Sequence, residues 1–286
     1  MNQIQWFPGH MAKARRQVEE KLKLVDIVFE LLDARIPISS ENPMLQDIIK
    51  DKPRLVILNK ADLSDERENK KWVAYYESLG LHAIAIDSLN GNPLEEILRK
   101  SREILTNLFV KEKQKGMKVH AIKAMVLGIP NVGKSQFINR LAGKNKAKTG
   151  DKPGITKMQL YLRAGDYLEL LDNPGILWPK FESKEVALHL ALVGSIKEDV
   201  LPIDEVTLFG IDFLRTYYPK KLSDRYALEE IENKTTLEIL DLIGLRRGCL
   251  LKGNEIDYER VFKLFLYDFR TIAFGRISIE QVNNHV

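Results

Sequence analysis

The chain has 286 residues, enough for roughly two domains of about 150 residues each. Apolar residues make up 44% of it and charged residues 29%, which excludes disorder over most of its length. A single cysteine, Cys249, excludes an intramolecular disulfide framework and a multi-cysteine zinc site. The first residues lack the apolar stretch of a signal peptide and no run approaches a membrane span, so we expect a cytoplasmic protein without membrane attachment.

The net charge of +4 conceals an uneven distribution of basic residues. Two stretches, 111–123 and 140–157, are rich in lysine and arginine, whereas residues 201–286 carry 12 basic and 14 acidic side chains. Basic stretches of this kind attract phosphate backbones. They are also compatible with a solvated surface and a charged linker.

Apolar runs alternate with helical patterns through the first two thirds of the chain. The predicted strands span residues 25–34, 54–59, 82–88, 121–128, 157–164 and 166–172. The predicted helices span residues 11–24, 66–79, 93–109 and 134–141. This alternation predicts an α/β fold with a parallel-rich sheet covered on both faces. The lysine-rich run 111–118 is interpreted as a linker inside this domain.

From about residue 182 only helical patterns remain. They cover residues 182–197, 203–218, a segment near 234–244 and a segment near 258–270, with Pro202 and Pro219 between them. We therefore predict two domains, an α/β domain at 1–181 and a smaller all-helical domain at 182–286.

Residues 128–135 read Gly-Ile-Pro-Asn-Val-Gly-Lys-Ser and fit the phosphate-loop pattern G-x-x-x-x-G-K-[ST] between a strand and a helix. Glycines let backbone N–H groups close around phosphate oxygens, and the helix N-terminus adds its dipole. Lys134 is expected to reach the β- and γ-phosphates and the Ser135 hydroxyl to bind Mg²⁺. The predicted nucleotide-binding residues here are Asn131, Val132, Gly133, Lys134, Ser135 and Gln136.

A second motif, D-x-x-G, follows the last predicted strand at residues 172–175. Asp172 is expected to hold the Mg²⁺, through water, and the Gly175 N–H to meet the γ-phosphate. Thr156 lies between the two motifs, where a switch threonine that binds both nucleotide and metal must lie. Asp172 could instead be a strand-end turn residue, and Thr156 an ordinary loop residue.

The segment Asn59-Lys60-Ala61-Asp62 follows a buried strand and reads N-K-x-D. An Asp62 carboxylate can accept hydrogen bonds from N1–H and the 2-amino group of guanine, donors that adenine lacks. Asn59 can brace the loop and touch the base, and the Lys60 stem can lie along the ring. Asp87 and Ser88, after the next strand, could add backbone contacts to the base. The alternative is a strand-to-helix turn in which Asp62 caps the helix.

The order of these motifs differs from the common one, in which the phosphate loop precedes N-K-x-D. Here N-K-x-D comes about seventy residues earlier, and the parts fit one sheet only if the chain is circularly permuted. The permutation makes 25–33 the strand that normally follows the D-x-x-G switch. We therefore expect residues 1–24 and the chain leaving Gly175 to lie beside that switch.

Together with residues 6–11 (WFPGHM) and 33–35 (DAR), this motif order resembles the ribosome biogenesis GTPase A family (YlqF-type) over essentially the whole chain. The resemblance implies a circularly permuted Ras-like P-loop GTPase that binds GTP and GDP and associates with the large (50S) ribosomal subunit late in assembly. It also implies that the helical domain 182–286 helps to contact ribosomal RNA. Gln136 and Asn173 depart from the usual pattern, but neither removes a phosphate or metal ligand.

The resemblance also assigns two roles. Ile176 stands where a Ras-type enzyme has its water-orienting glutamine, and the family gives that catalytic role to the histidine matching His10. Asn131 matches an asparagine that helps to coordinate K⁺ in potassium-activated relatives. The alternatives are a helix-start or surface histidine at position 10 and simple bracing of the loop by Asn131.

Two functions of different classes follow from these residues. The first is an assembly GTPase, released from the subunit on hydrolysis; the second is a nucleotide-gated RNA-binding scaffold in which hydrolysis is incidental. A P-loop enzyme acting on small phosphorylated substrates would need a substrate pocket, for which the sequence offers no candidates. We expect a monomer whose helical domain contacts RNA locally, at Arg246-Arg247 and Lys220-Lys221, although these side chains also suit a solvated surface.

Overall fold

A computed structural model describes residues 8–50, 52–117, 120–143, 161–171, 183–196 and 201–284, with the side chains of 8–14, 161 and 284 outside that description. The chain divides into two compact units. One comprises Met1–Lys180 together with Glu280–Val286, and the other comprises Phe181–Ile279. The last seven residues thus group with the first unit, whereas the sequence placed them in the second domain.

The first unit alternates strands and helices along the chain, in agreement with the α/β pattern. Its strands are β1 (Ile27–Asp33), β2 (Arg54–Asn59), β3 (His82–Ala85), β4 (Ile122–Gly128), β5 (Tyr161–Ala164) and β6 (Leu168–Leu171). Its helices are α1 (Pro8–Leu22), α2 (Pro37–Ser40), α3 (Pro43–Ile49), α4 (Glu66–Ser78), α5 (Leu94–Ile104), α6 (Thr106–Gln114) and α7 (Lys134–Ala142), and a short 3₁₀ turn covers Val282–Asn284.

The six strands form one sheet in the order β3-β2-β1-β4-β6-β5. All neighbouring pairs are parallel except β5 and β6, which form an antiparallel hairpin at one edge. Every residue of β1 is buried, as expected for a central strand covered on both faces. One face packs α1 and α3 through Val18 and Leu45, and the other packs α4 through Trp72 and Tyr76. The carboxyl ends of five parallel strands therefore share one edge of the sheet.

Several predicted helix boundaries are wrong, and two helices of the first unit were not predicted. Helices α2 and α3 begin on Pro37 and Pro43, in a segment to which no helix was assigned. The predicted helix 93–109 divides at Leu105, where the Thr106 hydroxyl donates to the carbonyls of Arg102 and Glu103. The start of the proposed linker 111–118 is helical instead, since α6 extends to Gln114.

The second unit is helical apart from one isolated β-bridge between Leu250 and Ile256 in its described segments. Its helices are α8 (Lys184–Leu192), α9 (Ile203–Tyr217), α10 (Pro219–Tyr226), α11 (Thr236–Arg246) and α12 (Tyr258–Arg270), with a 3₁₀ turn at Ile231–Asn233. The buried Asp268 carboxylate accepts from Arg225 Nη2 at 2.6 Å and from the Tyr226 hydroxyl at 3.0 Å, joining α10 to α12. None of the helices in the described segments combines the length and apolarity that a membrane span requires.

A buried carboxylate in the central strand of the first unit gives its stability a pH dependence. Glu30, 2% exposed, accepts hydrogen bonds from Gln46 Nε2 at 2.7 Å and from Arg54 Nη1 at 2.9 Å. Burial raises the pKa of Glu30 to about 7 despite the opposing charge of Arg54. The folded protein therefore binds more protons than the unfolded chain between the ordinary pKa of 4.5 and about 7, so this group lowers stability as pH rises through that range.

We expect Glu30→Gln to remove this pH dependence. The original protein should lose stability between pH 5 and pH 8, whereas the variant should not lose it through this group. The free energy of unfolding of the variant minus that of the original protein should therefore increase by about 2 kcal/mol over this range. Denaturant titrations at the two pH values measure the difference. Glu103→Gln, which alters an exposed pair with Arg99, is the control and should show no such shift. If the free energies of unfolding of Glu30→Gln and the original protein differed by the same amount at both pH values, the raised pKa of Glu30 would be contradicted.

Candidate nucleotide-binding site

Three loops meet at the carboxyl edge of the sheet. The phosphate loop follows β4, the N-K-x-D segment follows β2, and Asp87-Ser88 lies just beyond β3. Since β1 lies between β2 and β4, Asp33 at its end stands between the first two loops, opposite Asn59 in register. Ligands of open α/β sheets bind outside the carboxyl ends of the strands, so this edge is the candidate site.

The phosphate loop has a backbone that few residues could adopt. Asn131 and Gly133 both have positive φ, 56° and 101°. A Cβ at Gly133 would lie 2.4 Å from Asn59 Nδ2, and one at Gly128 would lie 2.6 Å from the Leu31 carbonyl oxygen, so both positions need glycine. The loop is therefore packed against β1 and the N-K-x-D segment.

Helix α7 presents its N-terminus to this loop. Gly133 supplies no side-chain cap, and the dipole of a helix N-terminus favours a bound anion at this position. Phe137 and Ile138 are buried and anchor the helix to the core. Lys134 is only 8% exposed, and its Nζ donates to the carbonyls of Gly128 at 3.2 Å and Ile129 at 2.6 Å. The ammonium is thus held inside the loop, where phosphate oxygens would lie.

The N-K-x-D segment is braced directly on the phosphate loop. Asn59 Nδ2 donates to the Val132 carbonyl at 2.8 Å, while Asn59 Oδ1 accepts from the Ser88 hydroxyl at 2.6 Å. Lys60 has a positive φ of 60°, and its Nζ donates to the Asn131 carbonyl at 2.7 Å. Residues predicted to bind phosphate and residues predicted to recognise the base are therefore joined by hydrogen bonds.

Both neighbours of Asp62 are fixed. The Ala61 N–H donates to the Ile86 carbonyl at 3.0 Å, and the Ala61 carbonyl accepts from Asn69 Nδ2 at 3.2 Å. The Leu63 N–H donates back to the Lys60 carbonyl at 2.9 Å. This turn places the half-exposed Asp62 at the sheet edge with its backbone already ordered, as recognition of a base requires.

Asp87 organises its own turn. Its Oδ1 accepts from the N–H groups of Leu89 at 2.7 Å and Asn90 at 3.2 Å. Arg140 of α7 donates to the Leu89 carbonyl, which ties this turn to the helix that follows the phosphate loop. The turn adjoins the Asn59–Ser88 contact, and backbone contacts from Asp87 and Ser88 to a base stay a prediction.

Asp33 is a member of the site to which the sequence assigned no chemistry. Its buried carboxylate accepts from Arg35 Nε at 2.9 Å and Nη2 at 2.8 Å, and from Lys60 Nζ at 3.0 Å. Burial alone would raise the pKa of Asp33, but the charges of Arg35 and Lys60 outweigh it and hold the pKa well below its ordinary value. Asp33 is thus an ionised anchor for the lysine of N-K-x-D. An aspartate at the carboxyl end of a buried parallel strand is the signal that could have pointed to it.

Four predicted site residues lie outside the description. Thr156, Asp172 and Gly175 fall in segments that the structure does not describe, and His10 lies in α1 with its side chain undescribed. The strand before Asp172, β6, ends beside β4 at the same sheet edge as the phosphate loop. Ser135 and Gln136 are exposed at the start of α7. An exposed hydroxyl on the residue after Lys134 suits a Mg²⁺ that also binds nucleotide phosphates, and no cluster of three metal-binding side chains occurs in the described segments.

Comparison with known proteins agrees with this geometry. A family profile described as "50S ribosome-binding GTPase" matches residues 123–241, which begin in β4 and include the phosphate loop. The crystal structure of GNP-bound YlqF from T. maritima superposes with a TM-score of 0.65 and 27% identity, covering 94% of this chain and 98% of that one. Phosphate loop, sheet order and this likeness define the class: a circularly permuted P-loop GTPase, in which N-K-x-D precedes the phosphate loop.

Relatives of the same length identify the family. Ribosome biogenesis GTPase A of Bacillus licheniformis is 53% identical, and that of Bacillus pumilus 51%, each over 97% of this chain and 98% of its own. The chain therefore belongs to the ribosome biogenesis GTPase A family.

Proposed function

We propose that this protein is a GTP-hydrolysing assembly factor that binds the large ribosomal subunit late in its biogenesis and is released on hydrolysis. The observation that carries the proposal is the permuted GTPase site, braced by Asn59 and Lys60 on the phosphate loop. It occurs in a chain similar over its whole length to proteins named for ribosome biogenesis. The place of action would be the cytoplasm, and the acting form a monomer.

The site suits in-line phosphoryl transfer from GTP to water. A water oxygen forms a bond to the γ-phosphorus while the bond from that phosphorus to the β–γ bridging oxygen breaks, and negative charge moves onto the GDP leaving oxygen. The Lys134 ammonium and the first-turn N–H groups of α7 can stabilise this charge, because they are already oriented toward the loop. Asn59, Lys60 and Asp62 hold the guanine end and so fix the phosphates against that loop.

The metal assignments follow from donor chemistry. The Ser135 hydroxyl and the carboxylate of Asp172 would hold Mg²⁺, with Thr156 as a further ligand in the GTP state. When bound, Mg²⁺ neutralises charge on the β- and γ-phosphates. Asn131 is exposed within the phosphate loop, which supports its proposed role in binding K⁺ there.

His10 is the proposed catalytic group that orients or accepts a proton from the attacking water. Its support is that the Ile176 side chain has no polar atom for this task and that the permuted motif order is expected to bring residues 1–24 toward the switch. His10 lies near the start of α1, whose Val18 packs on the sheet face next to β1. In this role the imidazole must be neutral, because one ring nitrogen has to accept the hydrogen bond or the proton.

We expect His10→Ala to separate binding from turnover. Hydrolysis in the presence of large subunits should fall about a hundredfold or more, because general-base assistance contributes that much. Co-sedimentation with subunits in GTP should persist, while release over time should fail. The control is His120→Ala, which changes a histidine next to the amino end of β4, at the opposite sheet edge. Unchanged turnover in His10→Ala would contradict the catalytic role.

The helical unit is the proposed RNA-contacting part. Two of its candidate side chains are engaged within the unit: Lys221 donates to the Arg276 carbonyl, and Arg247 stacks at 5.2 Å over the Tyr226 ring. Lys220 pairs at 3.0 Å with Asp224 on the surface, a weak interaction that a phosphate could replace. Arg246 is exposed at the end of α11. These positions make Arg246 and Lys220 the preferred phosphate contacts.

A nucleotide-gated scaffold remains the second candidate, since the braced site explains nucleotide binding without requiring turnover. The two functions differ in one outcome. If His10→Ala still leaves the subunit normally after GTP is added, release does not depend on hydrolysis and the scaffold is the better description.

A further inference from the structure

The last described segment of the chain packs against the loop that follows β1. Glu280 is 3% exposed, and its backbone N–H donates to the Arg35 carbonyl at 3.1 Å. Its carboxylate accepts from the N–H of Ile38 at 2.7 Å, from the N–H of Ser39 at 3.0 Å and from the Ser39 hydroxyl. A residue six positions from the C-terminus is therefore bonded to a segment more than 240 positions earlier in the chain.

These contacts cap helix α2. Its N-cap residue, Ile36, is apolar and supplies no side-chain acceptor, so the carboxylate of Glu280 takes that place. Charge-assisted bonds from backbone N–H groups to a buried carboxylate are about twice as strong as neutral ones. The conformation of residues 33–40 thus depends on Glu280.

The same segment, the C-terminal tail 280–284, is also hydrogen-bonded to α4, the helix that follows N-K-x-D. The Trp72 indole Nε1 donates to the Glu280 carbonyl at 3.3 Å, and the Val282 N–H donates to Glu68 Oε2 at 3.4 Å. Because Trp72 is fully buried, its hydrogen bond holds the backbone of Glu280 in a fixed position against α4. The tail therefore joins the segment after Asp33 to the helix after Asp62.

Residues 33–40 connect this tail to the nucleotide site. The Asp33 N–H donates to the Ser40 hydroxyl at 3.0 Å, so the two ends of the loop are bonded to each other. The Asp33 carboxylate holds Lys60, whose ammonium also reaches the Asn131 carbonyl of the phosphate loop. A displaced loop would move the anchor of Lys60.

We propose that Glu280 is a positioning residue for guanine-nucleotide binding. It fixes residues 33–40, these fix the Asp33 carboxylate, and Asp33 holds Lys60 between base and phosphates. Glu280 is buried against α2, so the proposed role is indirect and requires no contact with the nucleotide. The C-terminal segment is then a functional part of the GTPase site, joined directly to the helical unit that ends at Ile279.

Dissociation of a fluorescent GDP from the full-length protein tests this role. Below the unfolding temperature, Glu280→Gln should release GDP about tenfold faster, because the neutral amide gives weaker bonds to α2. Ser39→Ala removes only the hydroxyl contact and should give a smaller acceleration, so it remains informative if Glu280→Gln does not fold. Glu229→Gln, an exposed carboxylate in the helical unit, is the control and should release GDP at the original rate.

A double-mutant cycle with Lys60→Met separates positioning from general stability. If Glu280 acts through Asp33 and Lys60, Glu280→Gln should have little further effect on GDP release once Lys60 is methionine. Full additivity of the two effects would overturn the proposal. So would a lowered melting temperature with unchanged GDP release, since that result describes a purely structural cap.

The inference rests on guanine-nucleotide binding alone. The assay contains no ribosomal subunit, and the original protein binding GDP in it establishes the site independently. A negative result for Glu280 therefore leaves the proposed assembly function as it stands, and failure of subunit binding would leave the GDP measurement unaffected.

Discussion

Asp62→Asn is expected to exchange the preferred base of this GTPase from guanine to xanthine. GTP affinity should fall about a hundredfold or more, because the site would lose an acceptor and face the 2-amino group with an amide N–H. Xanthine has a carbonyl oxygen in place of that amino group and keeps N1–H. An asparagine offers it one acceptor and one donor, so affinity for xanthosine triphosphate should rise.

The geometry around Asp62 makes this exchange feasible. Ala61 is fixed through both its N–H and its carbonyl, and the Leu63 N–H is bonded to the Lys60 carbonyl. The backbone should therefore keep its conformation when the carboxylate becomes an isosteric amide. The difference in affinity between GTP and xanthosine triphosphate then reports hydrogen bonding to the base and not a change in loop structure.

Competition binding with GTP, xanthosine triphosphate and ATP measures the exchange. The matched control is Asp65→Asn, three residues later, where the side chain caps α4 by accepting from the Arg67 N–H at 2.8 Å. Asparagine is as good a cap, so neither stability nor base preference should change. If Asp62→Asn kept its preference for guanine, N-K-x-D would be a helix-starting turn without a role in base recognition.

Lys134→Ala should nearly abolish GTP hydrolysis. The ammonium is almost fully buried in the phosphate loop, and its transfer from the Gly128 and Ile129 carbonyls to phosphate oxygens would place a full charge beside the γ-phosphate. Loss of such a preorganised group costs on the order of 10²–10³ in rate. Nucleotide affinity should fall as well, since the same charge binds the β-phosphate in the ground state.

Single-turnover hydrolysis at saturating GTP separates the loss of rate from the loss of affinity. Lys70→Ala is the control, because Lys70 is an exposed lysine paired with Glu66 at 2.9 Å, and its removal should leave both quantities unchanged. The fold should survive Lys134→Ala, since Phe137 and Ile138 anchor α7. Hydrolysis by Lys134→Ala at the original rate would mean that residues 128–135 do not bind the phosphates as described.

The α/β order was predictable because buried parallel strands are nearly continuous apolar runs. Residues 54–59 were predicted as a strand and form one with those bounds. Proline was the main source of error. Helices α2, α3 and α10 begin on Pro37, Pro43 and Pro219, yet Pro219 was interpreted only as a boundary between helices. A proline fits the first turn of a helix, where its missing N–H has no intrahelical partner.

Local motifs revealed the parts of the site but not the bonds between them. The patterns at 59–62 and 128–135 indicated base and phosphate binding, and the structure brings these segments together through Asn59. The anchoring of Lys60 by Asp33 is a contact between neighbouring strands, which needs the strand order to be seen. Glu280 is one carboxylate in a tail without a motif. Its bond to α2 could not be predicted from any local pattern.

The rate of GTP hydrolysis, measured with and without purified large ribosomal subunits in potassium buffer, tests the central claim most directly. The protein alone should hydrolyse GTP slowly, because Ile176 stands where a Ras-type enzyme has its water-orienting glutamine and, in the proposed function, the subunit completes the site. Addition of subunits should accelerate the reaction strongly, and Lys134→Ala should abolish the acceleration. An unchanged rate with subunits that demonstrably bind the protein would contradict a ribosome-coupled GTPase.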